Sequence, residues 1–212
     1  MSIVKLNNRG VRSATAFGSI TGLGSMVFIK KQTASSSSTI SFVDGTSDVV
    51  LDDTYKEYLF TFNNIHPSND ETGFHFNLST DTGSNYNVTK TSTFINAYHG
   101  ESDSYVGGGG VGYNTGFDLA QGTGTQHLTQ NNAGNGNAES GSGYLHLFNP
   151  SSTTFVKHWL SNMTTYYFGD YTQQDMSAGY GNTTSAIDAI QFSMSSGTID
   201  AGDICLYGIK DS

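Results

Sequence analysis

The chain is poor in the residues that staple a protein together or charge its surface. Among 212 residues there are one cysteine, two prolines, nine basic and 18 acidic residues. A single cysteine excludes an internal disulfide, and without a cysteine pair a thiolate zinc site is excluded as well. Cys205 lies in an apolar segment and reads as a small buried hydrophobe. Ala, Leu, Glu, Lys and Arg are scarce while Gly reaches 26, which disfavours a helical bundle. No run of about 18 apolar residues is present, so no membrane-spanning helix is expected. The first residues have no apolar core and no cleavage signature, so no secretory signal is expected either. What remains is rich in Ser, Thr, Asn, Gln and Gly, a composition that suits short strands joined by polar turns.

The charge that exists is unevenly placed. Residues 1–43 carry Lys5, Arg9, Arg12, Lys30 and Lys31 and no acid, whereas Lys56, Lys90, Lys157 and Lys210 face all 18 acids in the rest of the chain. The net charge of −9 is therefore a basic leader on a strongly acidic body. Residues 1–25 have isolated apolar side chains, several glycines and no helical periodicity. They read as an extended arm that orders against a partner, with Lys5, Leu6, Arg9, Val11, Arg12 and Phe17 as its contact residues.

From Met26 onward, strands and turns alternate. MVFIKKQ and TISFV read as strands separated by the polar connector ASSSS, and an Asp-Gly turn follows at Asp44. GFHFNLSTD places Phe74, Phe76 and Leu78 on one face and His75, Asn77 and Ser79 on a polar face, a half-buried strand. NVTKTSTFINAYH is β-branched and aromatic. GYLHLFN and TFVKHWLSNM flank an Asn-Pro turn and predict a hairpin, and a further strand is expected within Tyr166–Tyr180. Ile190, Phe192 and Met194 share a strand face, and the chain closes with a strand around Cys205. Residues 100–142, with GGGG and many amides, read as a long variable loop region with one short strand near Thr125–Thr129. Eight to ten strands at this spacing predict an all-β body over residues 26–212, a jelly-roll-like β-sandwich.

No catalytic constellation stands out. The six histidines lack metal-ligand spacing, and His75 and His146 are expected on polar strand faces. The acid pairs Asp52–Asp53, Asp70–Glu71 and Glu101–Asp103 sit in turns and read as solvated. GGGGVG lacks the following Lys-Ser/Thr of a phosphate loop, and there is no GxSxG. No cofactor, metal or catalytic residue is expected, and an acidic body disfavours nucleic acid as a partner. Tyrosines beside amides in loop-like stretches, chiefly Tyr105, Tyr113, Tyr167 and Tyr171, are candidate contacts for a glycan or a host surface.

Three stretches carry a family resemblance. IVKLNNRGVRSAT at the start, SNYNVTKTSTFINAYH with SGSGYLHLFNPSSTTFVKHWLS in the centre, and FSMSSGTIDAGDICLYGIK at the end resemble small virion-associated surface proteins of tailed, especially marine, bacteriophages. The resemblance implies a non-enzymatic structural protein on the virion surface, made in the host cytoplasm and serving as capsid decoration, head fibre or tail-fibre-type appendage. It also implies a jelly-roll-like body, often a homotrimer, whose partners are other capsid or tail proteins. A carbohydrate-binding adhesin that attaches to the host is the alternative, and a glycan-degrading enzyme ranks behind both.

Overall fold

The structure, a computed structural model, describes residues 25–103 and 111–210. The expected arm contacts from Lys5 to Phe17, together with Tyr105 and the GGGG run, lie outside the described residues. Twelve strands are present and no helix occurs among the described residues. They are β1 (Met26–Ser37), β2 (Thr39–Val43), β3 (Glu57–Pro67), β4 (Phe74–Ser79), β5 (Lys90–Gly100) and β6 (Val111–Tyr113). The second half adds β7 (Gln126–His127), β8 (Gly141–Phe148), β9 (Lys157–Tyr167), β10 (Tyr171–Gly181), β11 (Ala189–Met194) and β12 (Ile199–Ile209).

The strands form two antiparallel sheets. The larger has eight strands in the order β1-β12-β3-β8-β9-β10-β5-β6, the smaller four in the order β2-β11-β4-β7. Period-two alternation builds the core between them. Phe60 and Phe62 from β3 meet Phe42 from β2, Phe74 from β4 and Phe192 from β11 in edge-on ring contacts 5.1–5.5 Å apart. Trp159 from β9 meets Phe76 edge-on at 5.4 Å. The molecule is an all-β sandwich.

Four strands cannot cover eight. Residues 114–140 take over where the small sheet ends. Phe117 packs on Phe94, Gly122 bridges Lys90, and Ala133 bridges both Thr72 and Tyr167. Leu128 is wholly buried there. Much of the glycine- and amide-rich stretch is therefore a cover for the inner face of β5, β9 and β10, with β7 inside it, near the strand expected at Thr125–Thr129.

Two local expectations change. The serines after Gln32 continue β1, because Ala34, Ser35 and Ser37 pair with Gly202, Ala201 and Ile199. β4 has no solvated face: all six of its residues are buried. Phe74, Phe76 and Leu78 join the core. His75 and Asn77 are covered from the other side, Asn77 by the carbonyls of Tyr86 and Thr123 and His75 by Thr125 and His127.

Candidate functional site

The outer face of the large sheet carries the most distinctive surface. Alternation sends Tyr144 and His146 outward from β8, Leu160, Asn162 and Thr164 from β9, Gln174, Met176 and Ala178 from β10, and Thr93, Ile95 and Ala97 from β5. The register aligns them in rungs. One rung reads Tyr144–Asn162–Met176–Ile95–Tyr113 across five strands. Its neighbours read Ser142–Thr164–Gln174–Ala97 and His146–Leu160–Ala178–Thr93. A solvated antiparallel face would be expected to read polar, yet Tyr144 is 42% exposed, Met176 43%, Leu160 50% and Tyr113 62%.

This face holds two wells. One, of about 550 Å³, is lined by Tyr144, Asn162, Thr164, Gln174, Ala97 and His99 among others, and continues towards Tyr166 and Tyr171. The other, of about 480 Å³, is lined by Phe148, His158, Leu160, Ala178 and Tyr180 among others. Gln174 Nε2 donates to Asn162 Oδ1 at 3.1 Å, which fixes both amides across β9 and β10. At the rim the Tyr166 hydroxyl donates to Asp170 at 2.9 Å. That carboxylate, with Glu101 nearby, pushes the phenol up to about 12. At the opposite edge Tyr113 donates to Asp118 at 2.5 Å. A stable carboxylate partner in each case keeps the phenol protonated and oriented.

The tyrosines singled out from the sequence are distributed unequally. Tyr113 lies on this face, at its β6 edge. Tyr167 and Tyr171 are a cross-strand pair at the β9–β10 turn with rings 5.2 Å apart, and Tyr167 also stacks on Phe168. Tyr171 reaches the end of the groove, whereas Tyr167 lines the inner side with Gln173 and Asp175. Sequence reasoning missed Tyr144, Asn162, Gln174 and Tyr180. Their signal was the outward parity of GYLHLF, HWLSNMTTY and TQQDMSAGY, which a reading directed at the core sets aside.

The buried polar groups are structural in their geometry. His75 Nε2 faces His127 Nδ1 at 3.1 Å. Burial, reinforced by the neighbouring His127, holds the His75 imidazole down at about 3, so it is neutral, not the surface histidine expected of a polar strand face. His146 keeps a partly open position beside Glu57 at 2.9 Å. Asp175 is fully buried and receives only neutral donors, from the Gln173 amide and the Gln130 backbone N–H. Burial therefore raises its carboxyl to about 7.

The acid pairs have local roles. Asp52 receives the Thr54 N–H, Asp70 the Asn135 N–H, and Asp103 lies beside His99. Among the described residues no group of three or more His, Cys, Asp or Glu side chains converges on a possible metal position. Among them, too, no helix is long and apolar enough to cross a membrane.

Fold and face together define an all-β sandwich of two antiparallel sheets whose larger sheet presents an aromatic, amide-lined outer surface. No family model, curated protein or solved structure matches the chain.

Proposed function

We propose that the protein is a non-enzymatic structural component of a tailed-bacteriophage virion surface, anchored through residues 1–25 and projecting its sandwich outward as a jelly-roll-like body. The role is capsid decoration, head fibre or tail-fibre-type appendage, as the resemblance implies. The observation that carries this reading is an exposed apolar patch at the point where the basic leader joins the body. Met26 and Phe28 on β1 are 51% and 56% exposed, and Phe28 meets Tyr207 edge-on at 5.7 Å. The backbone of Lys210 bonds Ser25 here, so both ends of the body sit at the same root. Exposed apolar surface beside a polar rim marks an interaction surface. A basic leader and this patch then form one continuous attachment region for an acidic capsid or tail protein. The same patch suits packing of copies into a homotrimer.

The test is the composition of purified particles of the phage that encodes the chain. Quantitative mass spectrometry is expected to find it as a stoichiometric constituent: hundreds of copies per particle for a head decoration, tens or fewer for a tail appendage. Its absence from particles, with abundant protein left in the lysate, contradicts the reading.

A further inference from the structure

We infer that the outer face of β8, β9, β10 and β5 is a binding groove for an extended, uncharged carbohydrate chain. Along β9 the groove runs from Tyr166 to His158, roughly 27 Å at ~3.4 Å per residue. Two wells of about 550 and 480 Å³ lie along it. Each holds an aromatic side: Tyr144 in the first, Tyr180 with His158 in the second, the latter two rings 6.0 Å apart. Between the rungs that carry Tyr144 and Tyr180 lies His146–Leu160–Ala178–Thr93, in which Ala178 is small and Leu160 stands half exposed. A chain lying along the strands therefore passes over the apolar side chain of Leu160 between the two wells, a contact that suits the C–H face of a sugar.

The chemistry of this surface selects the ligand class. A sugar ring has an apolar C–H face bordered by hydroxyls, so it takes an aromatic ring beneath it and amides beside it. The bond from Gln174 Nε2 to Asn162 Oδ1 leaves the Asn162 amide N–H groups as donors and Gln174 Oε1 as an acceptor on the same floor. No charged side chain projects from the rungs between Tyr144 and Ile95. Acids border it, with Glu101 lining the continuation of the first well, Asp170 beside Tyr166, Asp103 beside His99 and Asp118 beside Tyr113. Together with the net charge of −9, they repel an anionic chain. A second copy of the protein fits less well. Polar groups break up the apolar side chains here, Asn162 between Tyr144 and Met176 on one rung and Ser142, Thr164 and Gln174 along the next, whereas the centre of a homotypic interface is contiguous and apolar.

The experiment is an array of neutral and anionic oligosaccharides, from single sugars to long chains, probed with the full chain. Tyr144→Ala, Tyr180→Ala and, as a control away from the groove, Phe155→Ser are tested in parallel. The expected result is retention on neutral chains of several units, above single sugars and anionic chains. Removing one stacking ring should weaken binding roughly tenfold, with Phe155→Ser unchanged. All three variants should keep the parent circular dichroism and melting temperature. Retention on anionic glycans only, no retention on any neutral chain, or binding indifferent to both groove variants overturns the assignment. So does a concentration-dependent dimer in sedimentation that Tyr144→Ala abolishes. These outcomes are separate from particle composition, so the groove and the virion reading fail independently.

Discussion

The ammonium of Lys90 on β5 donates to the side-chain oxygen of Asn77 on β4 at 2.5 Å, joining the two sheets through a fully buried lysine. Its other acceptor is the carbonyl of Val88 at 2.7 Å, and burial lowers the amine to about 8. Asn77 in turn holds the Tyr86 and Thr123 carbonyls through its amide nitrogen, so one carboxamide ties β4 to both the large sheet and its cover.

This pairing makes the two partners unequal. Asn77→Ala leaves a buried ammonium short of an acceptor and is expected to cost about 2–3 kcal/mol. Lys90→Met removes the charge while keeping the stem, and is expected to cost under about 1 kcal/mol. Urea unfolding should place the Asn77→Ala midpoint below that of Lys90→Met, with the double variant between them, because it removes the buried charge yet still leaves the Tyr86 and Thr123 carbonyls without the Asn77 amide. The reverse order would show that the ammonium is hydrated in the native state.

Two buried titrations oppose each other in pH. His75 sits at about 3, below its ordinary 6.5, so its stability contribution is complete above 6.5 and lost as pH falls towards 3. Asp175 sits at about 7, above its ordinary 3.8, so its contribution is complete below 3.8 and lost as pH rises through 7. Between about pH 4 and 6.5 the two slopes have opposite sign and offset each other. Asp175→Asn should unmask the histidine, so that stability falls on acidification by an amount on the order of 2 kcal/mol. His75→Gln should unmask the acid, so that stability falls as pH rises over the same range. Denaturant midpoints measured from pH 4 to 7.5 check both signs.

Gly179 on β10 is required by a close approach. A Cβ there would lie 2.5 Å from the Thr91 carbonyl and 2.5 Å from the Trp159 ring. Gly179→Ala must therefore shift backbone or the buried indole, at a cost of about 1–3 kcal/mol. Trp159 is the one tryptophan of the chain, so its emission and near-ultraviolet circular dichroism report the shift directly. A variant with parent stability and an unchanged spectrum would place the indole elsewhere.

Phe192 is the hub of the core, meeting the rings of Phe42, Phe60, Phe62 and Phe74. Phe192→Ala is expected to cost about 3–5 kcal/mol, because four surrounding rings cannot all collapse into the space. Calorimetry measures the loss. A cost near 1 kcal/mol would mean that the two sheets pack less tightly than these contacts require.

The sandwich was legible because its core follows period two. Phe74, Phe76 and Leu78, and Ile190 with Phe192 announced their faces by alternation alone. The Asn-Pro turn marked the β8–β9 hairpin in the same local way. The second burial of β4 was not legible. His75 and Asn77 read as solvent-facing because their cover comes from residues 81–90 and 117–131, whose polar composition resembles an exposed loop. The groove was hidden for a related reason. Tyr144, Asn162 and Gln174 are each unremarkable in a strand and gain meaning from register across β8, β9 and β10, which no single segment encodes. Tyr167 and Tyr171 stood out because they are aromatic and near a turn, and only one of them reaches the groove.

The central claim is that residues 1–25 attach a self-sufficient body to a virion. The direct measurement is co-sedimentation of purified particles lacking the protein with full-length chain and with a chain beginning at Met26. The account predicts that the shortened chain keeps its melting temperature and circular dichroism yet stays in the supernatant, while the full chain pellets with the particles. Equal pelleting of the two would contradict it.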